Sequence, residues 1–282
     1  MLKLLLAAIV VGTWNAQWFP SGRAKHRAHP DVEAATVKAA GAFLKSCIDR
    51  LDPAGTNDII LCVGEVRGPA AARALCTAIG RTNLAVAVVS AYRWRDRFDE
   101  QQDVILSTLP VAQSNWSVWK EKGGVRPPRG YAHAKLVVSP CVTAAVYAVH
   151  LKSNYHANTE AKRADNRLKR SVAVEQLTAQ VRPSRRRKGE SVIIAGDFNA
   201  DKWSGEFAGE PMFALLDKAG FENVLARLAP SARVTHPNRS WGDSVLDYIF
   251  LRGFTPIGLA VVPPAEGLSD HNPVFQLVDV AR

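Results

Sequence analysis

Six stretches of the sequence end or interrupt an apolar run with a residue able to bind a cation or move a proton. The run at 9–14 ends in Asn15, and the run at 58–64 ends in Glu65 within CVGEVRG. VYAVHLKSN carries His150, VIIAGDFNA closes on Asp197 and Asn199, and SVLDYIFL carries Asp247. Ser269-Asp270-His271-Asn272 immediately precedes the last apolar run. Taken singly, most have an ordinary use, because Asp and Asn at a strand end satisfy nearby backbone amides and form turns. Asp247 is different: it interrupts an apolar stretch, and an unpaired buried carboxylate is costly, so it needs a partner. Residues at one rim of a sheet can converge, and as a set these make a site.

Carboxylates and amides without thiols form an oxygen-rich donor set. That suits a hard cation such as Mg²⁺, Mn²⁺ or Ca²⁺ rather than structural zinc. Two histidines beside such a cation supply an acid and a base near neutral pH. These are the parts that phosphate-ester hydrolysis requires, since the cation neutralises charge while a base activates water for in-line attack.

The elements that must position these residues follow from periodicity. Strand-length apolar runs fall at 8–14, 58–64, 84–91, 103–107, 134–138, 144–151, 191–196, 245–251 and 273–278. Helical patterns fall at roughly 31–51, 68–79, 158–181 and 211–219. Several of the strand runs are apolar at consecutive positions, so both faces must be covered. Ser139-Pro140-Cys141 punctuates a hairpin between HAKLVV and AAVYAVHL. The segments 112–132, with Gly123-Gly124 and Pro127-Pro128, and 200–210 read as the longest loops. No repeat or composition break divides the chain, so one domain over 1–282 with a mixed sheet system is expected.

Composition narrows the partners. A chain of 282 residues, 47% hydrophobic and 22% charged, can bury a core. Its net charge of +10 favours an anionic partner: nucleic acid, a phosphorylated small molecule or an acidic head group. The basic run Arg182–Lys188 reads either as a solvated connector or as a phosphate-backbone contact. Cys47, Cys62, Cys76 and Cys141 stand singly, which argues against a zinc ribbon or a dithiol redox site; a disulfide remains open for an exported chain. The N-terminal MLKLLLAAIVVGTWN is too short in its apolar part to span a membrane. It resembles the start of a secretory signal, yet it runs straight into Asn15 and is better used as the first core strand, which leaves a cytoplasmic or exported location open.

In order along the chain, TWN, GEVRG, QQDVILS, RPPRGYAHAKL, VHLKSN, GDFNA, LDYIF and SDHNPV resemble the endonuclease/exonuclease/phosphatase superfamily, the DNase I-like fold. The resemblance spans about residues 9–278, and GDFN, LDYIF and SDHNPV are its specific part. It implies a four-layered α/β sandwich, with two mixed β-sheets face to face flanked by helices. It implies Glu65 as the main metal ligand, with Asn15 beside it and Asp270 completing the metal environment. Asp247 would orient His271, the general base for the attacking water. Asp197 and Asn199 would hold that water or the scissile phosphate, and His150 would contact the phosphate or protonate the leaving oxygen. Arg129, in RPPRGYAH, and Tyr92 with Arg93 are candidate phosphate contacts, whereas Trp94 reads as packing.

Two positions depart from the pattern. Gly64 stands where the family often has a Gln before the metal-binding Glu, which would loosen that ligand's support. His150 stands where members resembling exonuclease III carry a Tyr, so the match is to the DNase-like and sphingomyelinase-like branches rather than to abasic-site repair. The superfamily covers nucleases, inositol-polyphosphate phosphatases, sphingomyelinases and RNA deadenylases, and a fold cannot choose among them. The positive charge, and Lys162, Arg163, Arg167, Lys169 and Arg170 after HLKSN, favour a metal-dependent nuclease cutting DNA or RNA. Hydrolysis of an inositol phosphate or sphingomyelin head group is the alternative, for which Asn115–Trp119 would supply an aromatic hairpin or merely pack. A non-catalytic nucleic-acid- or protein-binding member is the third, disfavoured because Glu65, Asp197, Asp247 and His271 are all present. Neither a transmembrane span nor an obligate protein partner is implied.

Overall fold

The computed structural model describes residues 8–22, 28–94, 97–181, 191–238, 240 and 242–280. Residues 1–7 and the basic run Arg182–Lys188 lie outside the described residues, as does the side chain of Trp94. In chain order the first strands are β1 (Ile9–Phe19), β2 (Asp58–Val66), β3 (Ala85–Val89), β4 (Arg93–Trp94), β5 (Arg97–Phe98) and β6 (Gln102–Ser107). They are followed by β7 (Val111–Val118), β8 (Gly130–Ser139), β9 (Val142–His150) and β10 (Ser191–Asp197). The last are β11 (Glu222–Asn223), β12 (Asp247–Arg252), β13 (Phe254–Val261) and β14 (Val274–Val280). The helices are α1 (Pro30–Leu51), α2 (Pro69–Ile79), α3 (Glu160–Gln180) and α4 (Pro211–Lys218).

Two mixed six-stranded sheets, ordered β13-β14-β1-β2-β6-β3 and β11-β12-β10-β9-β8-β7, build the α/β sandwich. Side-chain parity explains why their inner strands are apolar at consecutive positions. In β1, Ile9 and Val11 join the core shared with the second sheet, while Val10 and Trp14 pack with Leu44 and Ile48 of α1. In β2, Ile60 and Cys62 face the shared core, and Ile59, Leu61 and Val63 face the helices, including Leu75 and Ile79 of α2. A strand sandwiched in this way has no polar face.

The helix ends follow their sequence signals. Pro30 opens α1 with Asp31 and Glu33 in the first turn, and Thr159 caps α3 by accepting from the Lys162 amide at 3.3 Å. The Asn166, Arg170, Ala173, Val174 and Leu177 positions of α3 form its buried face. No described helix is long and apolar enough to cross a membrane. All four cysteines are free, three buried and Cys141 exposed.

Two readings of the sequence are corrected. The expected loop 112–132 contains β7 and the first residues of β8, paired in register such as Ser114 with Ala134. β7 is an edge strand whose residues are nearly all exposed, so it carries none of the apolar patterning by which strands are found. β13 is likewise not found from sequence: it is the opposite sheet's edge, half its residues exposed, and its Pro256 and Gly258 read as breakers.

The basic face expected of α3 loses one member. Arg170 is buried in an ion pair with Glu210, Arg163 pairs with Glu160 and Lys169 with Asp165. Arg170 is therefore withdrawn from any phosphate backbone, whereas the Arg163 and Lys169 pairs lie on the surface and are weak.

Candidate active site

Strand register does the first part of the assembly. Asp197, the last residue of β10, lies opposite His150 of β9 in the parallel pair and opposite Asp247 of β12 in the antiparallel pair. Three chemically active side chains thus occupy one rung of the second sheet. Gly196 makes the close approach possible: its φ is 148° and a Cβ there would stand 1.9 Å from the Val149 carbonyl oxygen.

The first sheet supplies Asn15 and Glu65 from neighbouring strands. Asn15 has the parity of Ile9 and Val11 and so faces the second sheet. Glu65 has the parity of Ile59, Leu61 and Val63, which in a regular strand would point it at the helices. Its backbone is instead left-handed, φ 59°, and the β2–β6 register shifts between Val63 and Val66. The irregularity turns the carboxylate to the rim, where bulges re-aim side chains. β1 carries a matching shift between Asn15 and Phe19, with Gln17 and Trp18 at positive φ.

Hydrogen bonds then lock the two halves together. Asn15 Nδ2 donates to Glu65 Oε1 at 3.1 Å and to Asp197 Oδ2 at 3.0 Å, while its Oδ1 accepts from the Gln17 amide at 3.0 Å. Asn15 therefore turns its nitrogen, not its oxygen, to the carboxylates and acts here as a bridge between them. Glu65 Oε2 accepts from the Trp18 amide at 3.1 Å. Asp197 Oδ1 accepts from the Asn199 amide at 2.8 Å, and Asn199 Nδ2 donates to the Leu151 carbonyl at 3.2 Å. His150 Nε2 lies 3.6 Å from Asp197 Oδ2 and 3.9 Å from Glu65 Oε1.

His271 enters from the segment before β14. Its Nδ1 lies 2.7 Å from Asp247 Oδ2, and its Nε2 lies 4.0 Å from both Asp197 Oδ2 and Asp270 Oδ1. The segment is pinned by Trp14 Nε1 donating to the His271 carbonyl at 2.9 Å and by Ser269. The Ser269 hydroxyl donates to the Asn15 carbonyl at 2.7 Å and accepts from the His271 amide at 3.0 Å.

Burial sets the protonation of this cluster. It pushes Asp197 up to about 6, reinforced by repulsion from Asp247 and opposed by His271 and the bonds from Asn15 and Asn199. Burial also raises Glu65, against the hydrogen bonds of Gln101 and Asn15 and the charge of Arg129. For His271 burial works against the charged form but is outweighed by Asp247, Asp197 and Asp270, which push it up to about 10. His150 is driven well below its ordinary value by burial, then by Arg129, His271 and Lys152. One imidazole therefore holds its proton tightly while its neighbour stays neutral.

Arg129 and Tyr92, the candidate phosphate contacts, fare differently. Arg129 spends donors within the protein, Nη1 on Gln101 Oε1 at 3.0 Å and Nε on the His150 carbonyl at 3.3 Å, yet its charge still reaches Glu65, Asp103 and His150. Tyr92 is buried and donates its hydroxyl to Asp103 Oδ2 at 3.0 Å, so the expectation of a Tyr92–phosphate contact is corrected. Arg93 is exposed in the short β4 ribbon.

Sequence reasoning passed over four neighbours. Gln101 favours the ionised form of Glu65 against burial. Asp103, whose Oδ1 would be 3.6 Å from a Cβ at Gly64, is pushed up to about 8 by burial, with Arg129 pulling it down. Thr235 Oγ1 accepts from the Leu246 and Asp247 amides at 2.8 and 3.0 Å, fixing the start of β12. His236 packs its ring 4.9 Å from that of His271. Gln101 and Asp103 sat in the recognised QQDVILS stretch, but nothing in the sequence marks Thr235 or His236.

The donor set fits a hard divalent cation. Glu65 and Asp197 are buried carboxylates 3.9 and 3.6 Å from the neutral His150, and one ligand atom each of Asp197, Asp247 and His271 lies within 4.8 Å of the others. Carboxylates whose pKa is raised by burial are what such a cation would stabilise in the charged form.

The sequence profile of the endonuclease/exonuclease/phosphatase family matches residues 12–271. No curated protein sequence matches the chain significantly. Among solved structures, an endonuclease/exonuclease/phosphatase family protein from Leptotrichia buccalis superposes with TM-score 0.64 at 12% identity, covering 96% of this chain and 100% of that one. A humanised D. rerio TDP2 superposes with TM-score 0.62 at 15% identity, covering 97% and 99%. The beta toxin of Staphylococcus aureus gives 0.62 at 16% identity, covering 95% and 98%. At these identities the superpositions speak for the fold.

Proposed function

We propose, starting from a chain that belongs to the endonuclease/exonuclease/phosphatase family, that the cluster is the active site of a divalent-cation-dependent phosphodiesterase acting on nucleic acid. The observation that carries this reading is the meeting of Asp197, His150 and the His271–Asp247 pair from one sheet with Glu65 and Asn15 from the other.

Glu65, with Asp270 at the open edge, would hold Mg²⁺ or Mn²⁺. When bound, the cation supplies positive charge to the phosphate oxygens and to the leaving group. Asp247 keeps the His271 Nδ1 occupied at 2.7 Å, which leaves Nε2 as the nitrogen that takes a proton from water. The negative field that holds a proton on His271 is the same field that a bound cation would offset, releasing the imidazole as a base. Asp197 orients that water, lying 4.0 Å from His271 Nε2, and Asn199 holds Asp197 in place. His150 is neutral, so it serves by donating an N–H to a phosphate oxygen rather than by protonating the leaving group. The charge of +10 supports a polyanionic substrate.

The test is digestion of supercoiled plasmid by purified protein in Mg²⁺ or Mn²⁺, with EDTA, His271→Ala and Asp197→Ala controls. Cation-dependent nicking that falls by ~10²-fold or more in both folded variants is expected. A folded variant with full activity overturns the assignment of that residue. No cutting of DNA or RNA, with turnover of a phosphorylated head group, would move the substrate to the lipid or inositol class.

A further inference from the structure

We propose that His236, Asp270 and His271 form a second cation site, of different donor chemistry from the carboxylate cluster, which takes a borderline transition cation such as Zn²⁺ and thereby withdraws His271 from catalysis. The withdrawal rests on the reading of His271 as the base; the site itself does not.

One ligand atom each of the three side chains lies within 4.8 Å of the other two. Bonds of about 2.0–2.2 Å place the ligand atoms of a tetrahedral cation roughly 3.3–3.6 Å apart, so closure needs the three side chains to draw together. Asp270, about half exposed and 4.0 Å from His271 Nε2, is free to make it.

The two imidazoles are held for the purpose. His271 gives Nδ1 to the buried Asp247, the carboxylate–histidine relay that fixes a metal-binding imidazole and raises its basicity. His236 is fixed through its backbone: its amide donates to the Ser244 carbonyl at 2.9 Å and its carbonyl accepts from the Ser244 amide at 3.0 Å. The preceding Thr235 carbonyl accepts from the Asn272 amide at 2.6 Å, which ties the His236 segment to the one carrying Asp270 and His271. Both rings are therefore presented by one hydrogen-bonded unit, with centroids 4.9 Å apart.

Two nitrogens and one carboxylate oxygen, with an open fourth position, prefer Zn²⁺ or Co²⁺ to Mg²⁺. Glu65 and Asp197, which offer carboxylate oxygens, prefer the hard cation. A borderline cation on His271 removes the base, so zinc is expected to inhibit a magnesium-supported reaction.

The test titrates Co²⁺ into the metal-free, full-length protein and follows the visible d–d absorption, then displaces it with Zn²⁺. His236→Phe keeps the ring packed on His271 without a ligand nitrogen, and His236→Ala is the second variant. The expected result is a cobalt band that weakens in both, with affinity at least ~10-fold lower, since loss of even an outer partner costs that much. In Mg²⁺ assays His236→Phe, which keeps the packing on His271, should turn over like the parent and need at least ~10-fold more zinc for half-inhibition. An unchanged band and affinity in the folded variants overturn the site. A protein inert towards every phosphodiester, whose cobalt band still depends on His236, keeps the site and overturns only the phosphodiesterase reading.

Discussion

Asp247 and His271 meet at 2.7 Å, with Asp247 fully buried and its Oδ1 left without a hydrogen-bond partner. A half-satisfied carboxylate in an apolar strand is tolerated because it faces a cationic imidazole. His271 is pushed up to about 10, burial being outweighed chiefly by Asp247. Replacing an anion that favours the charged imidazole must lower that value. In the cation-free protein, Asp247→Asn should shift the His271 titration well below 10, towards or under the ordinary histidine range, as followed by NMR of the imidazole carbon-bound protons. Turnover should fall by ~10²-fold or more, because asparagine can donate to Nδ1 and no longer fixes the tautomer that leaves Nε2 as the base. A variant in which the titration is unmoved would remove Asp247 as the orienting group.

Asp103 makes a prediction about stability. Burial raises its carboxyl to about 8, against an ordinary value of 3.8. A raised folded value means the native state binds the proton more tightly than the unfolded chain. That contribution is fully present below about 3.8 and is lost as the pH rises through about 8. Asp103→Asn removes the titration while keeping an acceptor for the Tyr92 hydroxyl, which now bonds at 3.0 Å. The variant should gain Tm relative to the parent as pH rises from 5 to about 8.5, measured by scanning calorimetry. A Tm difference independent of pH would show that Asp103 is ionised throughout.

How far the sequence revealed the site depended on which signal each residue carried. Asp197 and Asn199 were legible because GDFN ends a doubly buried strand, and Asp247 because a carboxylate in LDYIF needs a partner. Glu65 was legible by motif but not by periodicity: parity alone sends it to the helix side, and only its positive φ brings it round. The inner strands were legible because both their faces are buried. The edge strands β7 and β13 were not, since backbone pairing without burial leaves little trace in side-chain type. Thr235 and His236 act through tertiary contacts with segments up to 37 residues away, for which a single sequence carries no mark.

The Arg182–Lys188 run lies outside the described residues, and its expected role comes from charge alone. With Arg170 of α3 buried in its ion pair, this run is the densest cluster of cations in the sequence that a phosphate backbone could meet. Neutralising its arginines and lysine should weaken nucleic-acid binding and flatten the slope of log affinity against log salt, by about 0.7–0.9 for each phosphate no longer neutralised. The turnover number at saturating substrate should hold. An unchanged salt slope, measured by fluorescence anisotropy with a labelled duplex, would return the run to a solvated connector.

Arg170 and Glu210 supply the last test, in which stability and the site are coupled. Both side chains are about 1% exposed, and the guanidinium engages both carboxylate oxygens. Its Nη1 also donates to the Lys152 carbonyl at 2.8 Å and to Asn154 Oδ1 at 3.1 Å, just beyond His150 at the end of β9. Glu210→Gln leaves a buried cation without its counter-charge, and breaking such a pair costs about 3–5 kcal/mol. Arg170→Met with Glu210→Leu removes both charges and should recover much of that loss, since apolar replacement of a buried pair is often near neutral. Recovery should fall short because the Lys152 carbonyl loses its donor, and burying an unmatched acceptor costs about 1–3 kcal/mol. Urea unfolding gives the stabilities, and turnover of the double variant reports whether the end of β9 still presents His150. A Glu210→Gln protein as stable as the parent would show that the counter-charge of Glu210 adds nothing to native stability.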